Sequence, residues 1–539
     1  MPGLMQDWPL RIHRAIDHAA RHHGNRAIVS RSVEGPIHRT DYRQVRARSL
    51  ALAQRLARAG IRPGDRVATL AWNSWRHLEA WYGITGAGAV YHTVNPRLFP
   101  EQITWILNHA GSRLLFVDLT FLPLLAKLMP ALPAIEQVVV LTDAAHLPET
   151  PFPATAYEEW LAEADGDFTW VPVEENAAAG LCYTSGTTGE PKGVLYSHRS
   201  NLLHALANGA PDMFGLASRD VVLPVVPLFH ANGWSLPFLA PMTGASLVMP
   251  GPRLDGASLT ELIQQEGVTF SAGVPTVWLG LLQHLEATGA SLPSLGRVVI
   301  GGSACPPAMT AAFAARGSRV IHAWGMTEMS PLGTVCGIKA SLGVLDGPGA
   351  VALQRKQGFA PFGVDMRIVG DDGAEKPWDG DSFGNLQVQG PAVTRGYFRL
   401  ERDALTEDGW FETGDVATID PHGYMEVTDR TKDVIKSGGE WISSITLENL
   451  AVGHPDVAEA AVIAARHPKW DERPLLILVP KPGRTITRQA MLDHLAPHIA
   501  KWWMPDDVIL VDELPHTATG KIQKTVLRDR FAGHFDGPG

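Results

Sequence analysis

The run YTSGTTGEPKG, Tyr183 to Gly193, constrains this chain more than any other feature, because two hydroxyl-rich turns, three glycines and a lysine make a nest for a polyphosphate. Gly186 and Gly189 let backbone N–H groups converge on phosphate oxygens, the hydroxyls of Thr184, Ser185, Thr187 and Thr188 add donors, and Lys192 adds positive charge. The order argues against the P-loop of nucleoside triphosphatases, where the lysine sits beside a glycine and a metal-binding hydroxyl. Here Pro191 precedes Lys192 and Gly193 follows it.

A chain of 539 residues is too long for one core and implies two to four domains or subdomains. With 45% hydrophobic and 19% charged residues it reads as soluble and globular, not disordered or fibrous. The net charge of -10, without a basic tail or an aromatic-basic repeat, disfavours nucleic acid as a partner while allowing a local cationic pocket. No stretch reaches the roughly 18–20 apolar residues of a membrane span, and residues 1–23 lack a signal-peptide core, so a cytoplasmic protein without stable membrane insertion is expected. Cys182, Cys305 and Cys336 have no metal-ligand spacing and are expected to be buried small side chains in a reducing compartment.

Apolar periodicity predicts helices near 10–23 and 40–59, then short strands at 66–71, 114–117 and 138–141, followed by a mostly irregular acidic span up to the glycine-rich run. Strands are expected at 220–224, 245–249, 269–272, 297–300 and 319–322, with helices near 257–266 and 277–288 between them, which predicts mostly parallel sheets with crossover helices. From about 360 to 428 the pattern becomes short strands separated by Gly, Pro and Asp, a small β-rich subdomain. The polar run Asp429 to Asp433 then precedes a segment with strands near 460–463 and 475–479 and a helix near 487–500, expected to form a compact mobile domain.

Four further pieces accompany the glycine-rich run in order: Trp324 to Pro331 (WGMTEMSP), Thr413 to Val416 (TGDV), Asp429-Arg430, and Thr519 to Ile522 (TGKI). Together they resemble the adenylate-forming superfamily of acyl-CoA synthetases, luciferases and peptide-synthetase adenylation domains, over nearly the whole chain. The resemblance implies an α/β fold: a large N-terminal domain (1–429) of layered α/β subdomains plus a β-rich subdomain, and a small mobile α+β C-terminal domain (430–539). It also implies ATP and Mg²⁺ as requirements and a two-step reaction through an acyl-adenylate. On that basis residues 183 to 193 would contact the β- and γ-phosphates, Thr184 and Glu328 would associate with the metal, and Thr327 would hold the α-phosphate. Trp324, Gly325 and Met326, with the turn of Gly301, Gly302, Ser303 and Ala304, resemble the adenine pocket, and Asp415 with Arg430 resembles the ribose site. Lys521 matches the adenylation lysine and Lys432 the hinge about which the C-terminal domain rotates between half-reactions. Lys436, Gly438, Gly439 and Glu440 resemble the thiolation face.

The acid is approached through Pro227 to Gly233 (PLFHANG), in which His230 matches the gate of the second half-reaction and lacks the Asp that fixes an amino acid's ammonium group. Trp234 resembles the movable tryptophan of fatty acyl-CoA synthetases, and Val274, Pro275, Trp278 and Gly301 are candidate pocket walls. The surrounding text at 92–98, 436–444 and 467–474 resembles the medium- and long-chain fatty acyl branch, which includes bacterial 3-methylmercaptopropionyl-CoA ligases. That short sulfur acid is the expected substrate, with medium- or long-chain fatty acids as the alternative. No carrier domain follows residue 539 in this sequence, so free CoA is the expected thiol, and the branch makes a homodimer plausible. A luciferase-like oxygenase and a noncatalytic nucleotide sensor remain as competing readings.

Overall fold

The structure is a computed structural model that describes all residues save 2, 185–189, 344, 346, 438–439, 517–521 and 536–539; of residues 232, 347, 348, 351 and 440 it describes the backbone alone. The chain forms two compact units, Met1–Asp365 with Gln389–Phe411, and Met366–Val388 with Glu412–Gly539. The β-rich stretch is thus divided, most of it falling in the second unit.

The first unit is built on two sheets. One has eight strands in the order Leu332–Val335, Arg319–Gly325, Arg297–Ile300, Phe270–Gly273, Val221–Pro224, Ser246–Met249, Ala27–Arg31, Ile37–Asp41. It is parallel except at its two edges, where antiparallel partners close the ends. The other has seven strands and runs from Thr155–Ala156 through Gln137–Val140, Leu114–Val117, Arg66–Leu70 and Val90–Thr93 to the antiparallel pair Ala178–Tyr183 and Gly193–Ser197. The central strands are short apolar runs buried on both faces, as parallel strands under crossover helices must be.

Local chemistry sets the helix ends. Asp41 accepts the Gln44 N–H at 2.9 Å and starts Tyr42–Arg58, Ser74 accepts the His77 N–H at 3.2 Å and starts Trp75–Gly86, and Asp255 accepts the Ser258 N–H at 2.9 Å and starts Gly256–Glu266. The span from 142 to 177, expected to be irregular, contains a short helix, Tyr157–Ala162, that buries Tyr157 and Trp160. Six residues are too few for helical periodicity to register. All three cysteines are free and buried.

The second unit carries the four-stranded sheet Asp365–Val369, Gly384–Gln389, Phe411–Ile419, Met425–Arg430 and a five-stranded sheet around the long hairpin Val457–His467 and Asp471–Pro480. Its own core gathers Ile435, Ile442, Leu447, Val462, Leu476, Leu478 and Met491. The helix expected to reach residue 500 is Arg488–Leu495. Pro497 explains the early stop, since proline has no N–H to donate to the carbonyl four residues back.

Candidate active site

The sheet topology places the sequence motifs before their chemistry is considered. In the eight-stranded sheet, four neighbouring parallel strands end at candidate segments: Val221–Pro224 leads to the PLFHANG run, Phe270–Gly273 to Val274, Arg297–Ile300 to Gly301–Ala304, and Arg319–Gly325 to Met326–Glu328. Parallel strands present all their carboxyl ends on one edge, which is where open α/β sheets bind ligands. The segments that carry His230, Val274, Gly301–Ala304 and Thr327-Glu328 therefore share that edge.

The glycine-rich run bridges the antiparallel pair Ala178–Tyr183 and Gly193–Ser197, in which Tyr183 faces Gly193. Thr184 and Lys192 close its base: the Thr184 N–H donates to the Lys192 carbonyl at 2.9 Å, and the Lys192 N–H donates to the Thr184 Oγ1 at 3.2 Å. Ser185, Gly186, Thr187, Thr188 and Gly189 lie outside the described residues.

Glu328 is 7% exposed, and the Tyr397 hydroxyl donates to its Oε1 at 2.9 Å. The same tyrosine ring lies 4.9 Å from the Lys192 ammonium, a cation–π arrangement that leaves the charge available at the loop. Beside it, the Phe398 N–H donates to the Gly193 carbonyl at 2.8 Å and the Thr394 N–H to the Glu328 carbonyl at 2.7 Å. From the other side the Tyr196 hydroxyl donates to the Thr327 carbonyl at 2.7 Å. Two tyrosines thus tie the strand pair that flanks the glycine-rich run to the Thr327-Glu328 turn. Burial foremost, and then the Glu328 charge, raise the Tyr397 hydroxyl above the usual phenol range, so it stays a donor.

The donor set suits Mg²⁺. Glu328 and Thr184 offer hard oxygen ligands, and no group of three or more His, Cys, Asp or Glu that could cage an ion occurs among the described residues. An ion that keeps its waters and shares phosphate oxygens needs only one or two protein oxygens.

Trp324 is buried, and its ring packs where a Cβ on Gly333 would come within 2.4 Å, so that position requires glycine. Ser303 and Ala304 are exposed beyond the strand end. Trp234 is 5% exposed; a Cβ on Gly301 would meet its Cη2 at 3.1 Å, and one on Gly302 would meet Val274 Cγ1 at 3.3 Å. Trp234, Val274, Gly301 and Gly302 therefore meet in one place. Pro275 opens the helix Pro275–Thr288, and Trp278, fully buried, packs edge-on against Phe313 in the core. His230 caps the short turn Ala231–Ser235, with the Gly233 N–H donating to its carbonyl at 3.0 Å. Buried Asn73 fixes the approach to this turn: its Nδ2 donates to the carbonyls of Pro224 and Val226 at 2.7 and 2.9 Å, and its Oδ1 accepts the Leu228 N–H at 2.7 Å.

In the second unit Asp415 is 2% exposed and pairs with Arg430 Nε at 2.8 Å, the two being direct partners across a hairpin. Lys432 follows at once, and burial foremost lowers its pKa. Arg528 donates to its carbonyl at 3.3 Å and to Asp433 Oδ1 at 2.5 Å. Lys436 reaches Asp371 at 2.9 Å and lies over the Trp441 ring at 5.2 Å. Gly438 and Gly439 are outside the described residues, as is the side chain of Glu440, whose backbone pairs with Ser437. Lys521 is also outside them. The helix that follows it, Lys524–Arg530, is anchored by Lys524, which donates to Glu448 at 2.7 Å and to Ser444 Oγ at 2.6 Å; Ser444 in turn donates to Asp429 at 2.9 Å.

Tyr397, Tyr196, Asn73, His204 and Lys524 escaped the sequence reading. None stands in a local pattern, and each acquires its role from a partner far away in the chain.

Comparison with known proteins agrees with this geometry. A family model described as AMP-binding enzyme matches residues 16–398, and its companion, AMP-binding enzyme C-terminal domain, matches 446–521. The chain is 50% identical to a 3-methylmercaptopropionyl-CoA ligase of Ruegeria lacuscaerulensis over 100% of both proteins, and 48% identical to a medium-chain-fatty-acid–CoA ligase of Ectopseudomonas oleovorans over 98% of both. Among solved structures, the anthranilate CoA ligase AuaEII in complex with anthranoyl-AMP superposes with a TM-score of 0.84 at 26% identity, covering 98% of this chain and 99% of that one. With both family models matched in order over the chain and relatives about 50% identical over its whole length, the chain belongs to the AMP-binding enzyme family, as an AMP-forming acyl-CoA synthetase.

Proposed function

We propose that this enzyme joins 3-methylmercaptopropionate to CoA at the expense of ATP. A carboxylate oxygen of the acid bonds to the α-phosphorus as pyrophosphate leaves; the CoA sulfur then bonds to the acyl carbon, gives up its proton, and AMP leaves. The observation that supports the first step is the convergence of Thr184, Lys192, Thr327 and Glu328 through Tyr196 and Tyr397.

Lys192 and residues 185–189 hold the β- and γ-phosphates, and Thr327 the α-phosphate. Trp324 to Met326 and Gly302 to Ala304 take the adenine, and Asp415, steadied by Arg430, takes the ribose hydroxyls. Glu328 and Thr184 hold Mg²⁺, which when bound neutralises phosphate charge. Lys521 stabilises the charge developing on the α-phosphoryl oxygens, an electrostatic role worth roughly 10²–10³ in rate. His230 and Trp234 gate the acyl site, Lys432 serves as the backbone pivot at the 429/430 division, and Lys436 with residues 438–440 forms the thiolation face. Free CoA as the thiol, a cytoplasmic setting and a homodimer belong to the same reading.

Similarity over the whole chain to a 3-methylmercaptopropionyl-CoA ligase favours the methylthio acid. The 48% identity to a medium-chain ligase favours medium-chain acids as the second reading. Apolar pockets discriminate by only about 1–3 kcal/mol per methylene, so the two substrate ranges overlap. A competition assay decides between them: ATP and CoA with 3-methylmercaptopropionate and a series of straight-chain acids, the CoA products separated by mass. Dominance of the methylthio product supports the first reading, dominance of a straight-chain product the second, and oxygen-dependent turnover or no acid-dependent pyrophosphate release refutes both.

A further inference from the structure

The turn that carries Trp234 is strained. Ala231, Trp234 and Ser235 have φ of 38°, 52° and 62°, with Gly233 at 53° between them, in the region that side chains other than glycine avoid. Such backbone persists only where its surroundings hold it. One polar restraint is His204, on the helix His198–Asn208, whose Nδ1 is hydrogen-bonded to the Ser235 hydroxyl.

The opposite ring nitrogen fixes the tautomer. His204 Nε2 accepts the Leu332 N–H at 2.9 Å, so it carries no proton, and the neutral ring places its proton on Nδ1, which donates to Ser235 Oγ. Burial supports the neutral form by pushing the imidazole down to about 3. Both His204 and Ser235 are buried, and Leu332 begins the edge strand directly after the WGMTEMSP run. The imidazole therefore ties the tryptophan turn to the frame that carries Thr327 and Glu328. The indole it holds lies against Gly301, beside Gly302 and Val274.

We propose that His204 is a positioning residue that locks Trp234 through Ser235, and that this latch sets how long an acid the enzyme accepts. The inference rests on the ligase reading. It adds that acyl length is governed by a hydrogen bond behind the tryptophan as well as by the residues that face the acid. With the bond in place the indole is held on the Gly301 backbone and favours short acids. Without it the turn relaxes and longer chains enter.

Ser235→Ala removes the acceptor oxygen while leaving the His204–Leu332 bond and the packing volume nearly intact. Loss of one buried hydrogen bond is expected to raise the ratio of kcat/KM for a medium-length straight-chain acid to that for 3-methylmercaptopropionate by about fivefold to tenfold. KM for ATP should stay within about twofold, since an effect confined to the acid leaves nucleotide binding alone. Adding Ser235→Ala to His204→Ala should move the ratio no further than His204→Ala does, because one interaction is lost only once. An unchanged ratio in Ser235→Ala, or an equal fall with every acid, overturns the latch while the ligase reading stands. Failure of the unmodified enzyme to form any acyl-CoA overturns both.

Discussion

Glu328 and Asp415 are both sunken carboxylates, 7% and 2% exposed, assembled in opposite ways. Asp415 meets Arg430 across a hairpin, so strand register alone brings them together. Glu328 is held by Tyr397, 69 positions away, which also faces Lys192 from a different strand pair. The solvent environment differs as well: the Arg430 side chain is 46% exposed, so water screens its pairing, whereas the hydrogen bond from Tyr397 is largely sheltered. A locally encoded pair can thus be robust and weak, while a tertiary cluster is sensitive to each member.

The sharpest test is Glu328→Gln. If this carboxylate holds the metal, adenylation should fall by roughly 10²–10³-fold, as when a preorganised electrostatic group is lost. Thioester formation from supplied acyl-adenylate should remain, and equal loss in both half-reactions would break the assignment. Next, Asp415→Asn should raise KM for ATP by roughly tenfold or more, the weight of a hydrogen bond to a charged group. Arg430→Ala should cost only about twofold to threefold because that side chain is half in solvent. Equal effects of the two would show that solvent exposure does not set their relative weight. Tyr397→Phe keeps the ring under Lys192 and deletes the bond to Glu328, so it should lower kcat for pyrophosphate release by about fivefold to tenfold. It should also raise the Mg²⁺ concentration needed for half-maximal nucleotide binding, a readout that a purely structural role would leave unmoved.

A further contrast between the units concerns acid. In the first unit burial pushes His92 and His204 down to about 3, both below the unfolded value of 6.5. Groups with depressed folded pKa contribute stability that is present above about pH 6.5 and lost as the pH falls toward 3, about 2 kcal/mol each by pH 5. Burial raises Asp429 and Glu448 in the second unit, and Asp118 to about 7 in the first, a contribution of opposite sign that is present at low pH and lost as the pH rises. Hydrogen-exchange protection should therefore drop between pH 7 and 5 in peptides covering Val90–Thr93 and His198–Asn208, and hold around Leu447 and Leu476. The reverse order would refute the contrast.

Much of the scaffold was legible. The short apolar runs at 114–117, 220–224, 269–272 and 297–300 read as strands, each within a residue of the strand found, because burial on both faces leaves little choice of residue. The glycine-rich run was legible for the same kind of reason, since a polyphosphate nest asks for small residues and hydroxyls close together in sequence, whereas the WGMTEMSP segment was legible only through its resemblance to the adenylate-forming superfamily. Tyr397 was not legible, since an aromatic residue in a loop carries no sign of what it will face. Nor was His204, which sits among apolar neighbours on a helix and looks like any packed side chain.

By itself the sequence determined the strand and helix repertoire, the order of the motifs and the chemistry they can perform, because those depend on residue types within a few positions of one another. Only the tertiary structure decided which groups meet. Parallel strands carry the His230, Val274, Gly301 and Thr327 segments to one edge, and the packing of a loop and a helix against that frame puts Tyr397 between Lys192 and Glu328 and His204 against the Trp234 turn. Hydrogen bonds across such distances exist only once the sheet has formed.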